Sequence, residues 1–153
     1  MDIVRLSVPG SLRYRDLVLS GVASVCRLAR PLLPAKQEAS RDAALDQFEA
    51  SVLSAVGEAF NNVAIHAYRG RSAGTVDLEL ELTSDGISIR ILDWGAGYDP
   101  TAQEAPDLAG LPESKMGLHI MRECMDSVAY RRGSAPDEPN VLTLSKRYAA
   151  GGI

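Results

Sequence analysis

Three short segments of this 153-residue sequence carry residue types that could do chemistry at their spacing. In Glu58-Ala59-Phe60-Asn61-Asn62, the outer two residues stand at i and i+4, so a helix would put them on one face, one turn apart. A carboxylate and a carboxamide placed this way can activate a hydroxyl and hold a hard cation. Mg²⁺ prefers oxygen ligands and keeps waters, so one Asn oxygen with phosphate oxygens would suffice. Polar i,i+4 pairs are equally ordinary on a solvated helix face, and the pair alone does not decide between the two.

The second segment is Asp93-Trp94-Gly95-Ala96-Gly97. Two glycines one residue apart let a backbone turn tightly and approach a ligand closely. An Asp at a strand end can accept a hydrogen bond from an amino group such as that of adenine. A plain turn and a calcium loop are the competing readings. The calcium loop fails, because counting from Asp93 puts Gly95 and Gly97 where oxygen ligands belong and Tyr98 where glycine belongs, leaving Glu104 in twelfth place coincidental. The third segment is Lys115-Met116-Gly117-Leu118, where a loop meets a helix. Free N–H groups at a helix start, a Gly and a nearby Lys suit an anion, and a flexible loop entering a helix would look the same.

These segments need elements to carry them. Ile3 to Val8 alternate as a short strand ended by Pro9-Gly10, and Ser11 can cap the helix whose apolar stripe runs through Leu17, Gly21, Val25 and Leu28. Pro31 and Pro34 end it. Leu45, Phe48, Val52, Val56, Ala59, Val63 and Ala67 keep a helical period from about Arg41 to Tyr68, so Glu58 and Asn62 lie on that helix. The stretch TVDLELELT alternates strictly, turns at Ser84-Asp85-Gly86, and returns as ISIRIL directly into Asp93. Residues 95–114 are rich in Gly, Pro, Asp and Ala without a period, a long loop of the kind more often functional than idle. A helix over 116–127 and strands over 128–132 and 140–148 follow. The order predicts an α+β fold of two layers: a mixed, mostly antiparallel sheet of about five strands, covered on one face by about three helices. One domain is expected over 1–148, with 149–153 as a C-terminal tail.

Composition narrows the function. Hydrophobic residues at 46% and charged residues at 24% are those of an ordinary globular domain. Twenty acidic against 16 basic residues, net charge −4, argue against gripping a nucleic-acid backbone directly. Aromatics at 5% argue against stacking platforms for single strands. Cys26 and Cys124 lack ligand partners at metal spacing and read as reduced core thiols, which fits a cytoplasmic setting. The first residues, MDIVRLSVPG, do not read as a signal peptide, and no apolar run is long enough to span a membrane.

Together the segments are more specific than apart. A helix with E-x-x-x-N, a hairpin ending in D-x-G-x-G, a lid-like loop and a Gly-bearing helix start resemble the histidine-kinase-like ATPases, the Bergerat-fold superfamily of gyrase, heat-shock chaperone and MutL ATPase domains. The stretches EAFNNVAIHAY, ILDWGAGYDP and KMGLHIMRECMDSVAY are similar to one branch, the anti-sigma-factor serine/threonine kinases of bacterial partner-switching systems. His66-Ala67-Tyr68, Gly117-Leu118-His119-Ile120-Met121 and Met125-Asp126-Ser127-Val128 match its motifs. No phosphoacceptor-His helix is expected, which separates the chain from sensor histidine kinases.

The resemblance implies roles. Glu58 would be the general base for a protein hydroxyl, and Asn62 would ligate Mg²⁺ between the phosphates of ATP. Asp93 would read the adenine amino group, with Gly95 and Gly97 letting the loop pass under the base. Met116, Gly117 and Leu118 would present N–H groups to the phosphates, and Thr143 would reach adenine through water. His66 would pack at the helix end beside the nucleotide. The family's usual glycine two residues before Gly117 is Lys115 here, where its side chain either crowds the lid or supplies a phosphate contact. Pro100, Pro106 and Pro112 would limit lid closure. The implied partners are a sigma factor and a small anti-sigma-factor antagonist protein, with a homodimer formed near the first strand and helix. The alternative implied by Lys115 is a non-catalytic protein-interaction switch of the same fold, with ATP as a structural ligand or with none.

Overall fold

Strict alternation makes the central hairpin. β2 (Thr75–Leu82) and β3 (Gly86–Asp93) pair antiparallel, with Leu78 opposite Ile91 and Leu80 opposite Ile89. The Thr83 hydroxyl oxygen closes the turn by accepting the amides of Asp85 and Gly86, each at 3.2 Å. β1 (Ile3–Pro9) adds beside β2, β5 (Asn140–Arg147) beside β3, and β4 (Ser127–Arg131) beside β5, giving the order β1-β2-β3-β5-β4. The computed structural model describes residues 2–34, 37–68, 74–101 and 113–148, and the backbone alone of 113–115. Among these residues every strand pairing is antiparallel, so the mixed character expected from sequence is not seen there.

Register sorts the sheet into two faces. Leu78, Leu80, Ile89, Ile91, Leu142 and Leu144 are buried on the helix-covered face. Arg5, Glu79 and Arg90 are neighbours on the other, where Glu79 accepts from Arg5 Nε at 3.0 Å and from Arg90 Nη1 at 2.8 Å. Each apolar side chain taken fully from water contributes roughly 1.5–3 kcal/mol, so the covered face, not the exposed ion pairs, sets the register.

The helices form the second layer. α1 (Arg15–Arg27) buries Val18, Val22, Val25 and Cys26, one stripe at helical spacing. Ser11 does not cap α1 itself; it caps a 3₁₀ turn over Leu12–Tyr14 that leads into it. α2 (Glu38–Asn62) packs between α1 and α3 (Glu113–Cys124) and buries Leu45, Phe48, Val52, Val56, Ala59 and Phe60. It starts three residues earlier than its period suggested and does not stay α-helical to Tyr68: Val63–Ala67 widen into a π turn. α3 begins at Glu113, also earlier than expected, which moves the Gly117 motif inside the helix. Burial pushes the Cys26 thiol up to about 12, with the Glu49 charge adding to it, so this thiol is inert. Cys124 is half-buried, and both cysteines are free. Among the described residues no helix is long and apolar enough to cross a membrane. Glu104, Pro106, Pro112 and the tail 149–153 lie outside the described residues.

The two-faced sheet makes a direct comparison available. Ile89→Ala, at a fully buried site, is expected to cost about 2–5 kcal/mol of unfolding free energy in urea titration. Arg90→Ala, one residue along on the wet face, should cost less than about 1 kcal/mol.

Candidate functional site

Only three polar side chains among the described residues are buried: Asn62, Asp93 and Asn140. Burying a polar group is costly unless it is hydrogen-bonded or serves a ligand. All three lie at elements that converge. Asn62 is the last residue of α2, Asp93 the last of β3, and Asn140 the first of β5.

Asp93 and Asn140 are direct cross-strand partners, and both point to the helix-covered face because their neighbours Ile91 and Leu142 do. Asn140 Nδ2 donates to Asp93 Oδ1 at 2.9 Å and to the Gly95 carbonyl at 3.2 Å, while its Oδ1 accepts from the Gly133 amide at 3.0 Å. The Gly95 amide also donates to Asp93 Oδ1, at 3.1 Å. Burial pushes the Asp93 carboxyl above its ordinary range; the hydrogen bonds from Asn140 and Gly95 and the charge of Arg132 oppose that rise.

The turn after Asp93 is docked onto the end of α2. Ala96 N–H donates to the Ala67 carbonyl at 2.8 Å. A β-carbon on Gly95 would collide with that same carbonyl, so only glycine permits the approach. Gly97 has φ +81° and would otherwise press on the Tyr130 hydroxyl, 2.5 Å from where its β-carbon would stand. Tyr68 braces the junction: its hydroxyl donates to the Thr75 carbonyl at 2.7 Å and accepts the Trp94 amide at 3.1 Å. His66 stacks on Tyr98, ring centroids 4.3 Å apart at 18°, and so holds the far side of the turn. Packing at the helix end, as expected for His66, is what this contact describes.

At the other side of α2, Glu58 and Asn62 face α3. A β-carbon on Gly117 would stand 3.1 Å from Glu58 Oε2 and 3.8 Å from Asn62 Nδ2. The missing side chain of Gly117 is therefore what lets α3 pack this closely against the carboxylate and carboxamide. Asn62 Nδ2 is buried with no hydrogen-bond partner, whereas the adjacent Asn61 is held away, its Oδ1 accepting from Arg15 Nε at 3.0 Å. The two asparagines thus differ: Asn61 is tied to Arg15, and the buried Asn62 nitrogen has no partner. Which end of the Asn62 amide faces Gly117 is an assignment of nearly identical atoms, so the same position can present oxygen to a cation. Among the described residues no three His, Cys, Asp or Glu side chains gather as a metal site. A side-chain oxygen at Asn62 fits a hard cation that takes one protein oxygen and otherwise phosphate and water, as Mg²⁺ does.

Two expected contributions differ in the structure. Thr143 pairs with Arg90 and Ala129 on the wet face, opposite Asp93, and cannot reach the same ligand. Because α3 starts at Glu113, the amides free of helix bonding belong to 113–115; those of Met116, Gly117 and Leu118 fall within the helix ladder. Met116 is half-exposed in that first turn, and Leu118 is buried in the core. Lys115 sits in the same turn, with its side chain outside the described residues. Asn140 and Tyr130 stand outside the motifs, and Tyr68 closes a motif without a role being read for it. The signal for Asn140 was available, since strand parity places it beside Asp93.

A cleft of about 250 Å³ opens next to the turn, lined by Trp94, Gly95, Ala96, Arg132 and Asn140 among others. A larger one, about 560 Å³, lies at the opposite end of the sheet between Gly86 and Lys146, and none of the converging residues lines it. The buried pair Asp93 and Asn140 lies at the first end.

Comparison with known proteins agrees with this geometry. The model of the histidine kinase-like ATPase domain matches residues 17–146. The chain is 36% identical over 96 residues to the serine/threonine-protein kinase BtrW of Bordetella bronchiseptica, covering 60% of this chain and 66% of that protein. It is 35% identical over 94 residues to an anti-sigma F factor of Clostridium beijerinckii, covering 59% and 65%. It is 31% identical over 97 residues to an anti-sigma F factor of Clostridium botulinum, again covering 59% and 65%. The matched span is just under two thirds of each relative's length.

The raised Asp93 carboxyl has a pH consequence. A carboxyl more basic in the folded than in the unfolded chain holds its proton longer when folded, so its contribution to stability is present at low pH and lost as pH rises through the raised value. Asp93→Asn, which keeps both hydrogen-bond acceptances at its oxygen, is expected to be at least as stable as wild type at pH 7. Its advantage should shrink on acidification through the carboxylate range, measured as the difference in thermal midpoint between the two proteins.

Proposed function

We propose a function from one premise: the chain belongs to the histidine kinase-like ATPase domain family. On that premise it is a cytoplasmic, ATP-binding anti-sigma factor with protein serine/threonine kinase activity. It binds a sigma factor, and it phosphorylates a small anti-sigma-factor antagonist in a partner-switching pair. The observation that carries this reading is the close approach at Gly117, which brings α3 against Glu58 and the unpartnered Asn62 Nδ2. The names of the relatives support the finer assignment, one being a serine/threonine-protein kinase and two being anti-sigma F factors.

The residues divide the work. Asp93 takes the adenine amino group, and the turn through Gly95 and Gly97 lies along the base. Asn62 holds Mg²⁺, which when bound with ATP neutralises phosphate charge. The free first-turn amides of α3 up to Lys115, with the Lys115 side chain, meet the phosphates. Glu58 accepts the proton of the acceptor Ser or Thr hydroxyl as that oxygen bonds to the terminal phosphorus and the bond from phosphorus to ADP breaks. Catalysis is then mainly positioning and charge neutralisation. Homodimerisation is assigned to β1, an edge strand, and the neighbouring α1, where Leu17 is 62% exposed beside a groove that includes Leu6, Val8 and Gly21.

Lys115 favours a second reading, a nucleotide-bound switch without transfer. One pair of measurements separates them. Asn62→Ala should abolish the Mg²⁺ dependence of ATP binding in calorimetry. Glu58→Ala should leave ATP affinity within about threefold and reduce phosphate transfer to the antagonist by about 10²–10⁴-fold. ATP binding by wild type with no transfer to any antagonist would favour the switch, and transfer retained in Glu58→Ala would remove Glu58 as the base.

A further inference from the structure

We infer that Asn140 is a specificity-determining positioning residue, which limits Asp93 to one free oxygen and so selects adenine over guanine; this rests on the ATP-binding reading above. Hydrogen-bond capacity sets what each side chain can offer a ligand. A carboxamide has two N–H hydrogens and one carbonyl oxygen. Both Nδ2 hydrogens of Asn140 are taken, by Asp93 Oδ1 and the Gly95 carbonyl, and its Oδ1 holds the Gly133 amide. Turning the amide over would set oxygen against two acceptors and nitrogen against a donor, so its orientation is determined. Asn140 has no donor left for a ligand.

What it does to Asp93 is specific. Two donors reach the carboxylate, Asn140 Nδ2 and the Gly95 amide, and both fall on Oδ1. Among the described residues no hydrogen bond reaches Oδ2. The carboxylate is thereby fixed in plane with one oxygen engaged and one open. A single open oxygen suits a base edge that offers one amino hydrogen, as the exocyclic amine of adenine does. Guanine offers two adjacent donors, its ring N–H and its amine, and is best met by both oxygens of a carboxylate at once. Asn140 occupies the oxygen that this second bond would need. The same side chain ties the end of β3, the glycine turn and the β4–β5 turn together, so the carboxylate cannot rotate without disturbing all three.

A role in stability alone and a role in selection predict different results. The full chain, with Trp94 as its single tryptophan and a member of the turn, is titrated with Mg-ATP and Mg-GTP and read by Trp94 emission and calorimetry. Wild type is expected to prefer ATP more than tenfold. Asn140→Ala should lower that preference at least tenfold, with weaker ATP binding and GTP binding unchanged or tighter, because Oδ1 regains a free site. Should Asn140→Ala not fold, Asn140→Val, which suits a strand, is read in its place. Equal loss of ATP and GTP affinity, or an unchanged ratio, would overturn the role of Asn140. Failure of wild type to bind ATP would instead overturn the functional reading on which it rests.

Discussion

The Ala67 carbonyl accepts the Ala96 amide at 2.8 Å, and around that bond the end of α2 and the turn after β3 become one structure. Neither element would hold the site alone. α2 carries Glu58 and Asn62, and β3 carries Asp93, on segments far apart in sequence. The bond requires the turn's backbone to come within touching distance of a helix end, which is why Gly95 has no tolerable replacement at its β-carbon. The π turn at Val63–Ala67 and the Tyr68 hydroxyl, bonded to both Thr75 and Trp94, fix the approach from the helix side. Stacking of His66 on Tyr98 does so from the other.

Held this way, the end of the sheet can keep polar groups that the rest of the core excludes. The covered face is Leu, Ile and Val for most of its length and changes to Asp93 and Asn140 at its last register pair. A buried carboxyl raised by desolvation works against stability. Such a group fits the general pattern in which local costs gather where a ligand is to be met. At the opposite end of the same face, Lys146 escapes that difficulty by donating to the Cys124 carbonyl at 2.8 Å. The two ends therefore use the same sheet differently, one resolved internally and one left open.

Much of this was legible in the sequence because its periods are clean. Alternation in Thr75–Leu82 and Gly86–Asp93 set the sheet face, and the stripe from Leu45 to Ala67 set the buried side of α2, so the Glu58 and Asn62 pairing followed from geometry. The glycines of the turn were legible as close approaches, though not what they approach. The assignment of Thr143 failed on parity. Leu142 and Leu144 are buried, so the residue between them faces water, and the strand's other end supplies the partner of Asp93. Asn140 carried no motif because its role depends on a partner 47 residues away. The early start of α3 was hidden by a loop without period, and it changes Gly117 from an amide donor into a missing side chain.

Every functional step proposed for the chain depends on the nucleotide lying between the Asp93–Asn140 pair and the Gly117 contact of α3 with α2. A crystal structure of the full chain with Mg²⁺ and a non-hydrolysable ATP analogue tests that placement directly. The account predicts the adenine amine within hydrogen-bond distance of Asp93 Oδ2, and the cation on the Asn62 side-chain oxygen beside Gly117. A base bound elsewhere, or phosphates away from Gly117 and Asn62, would contradict it.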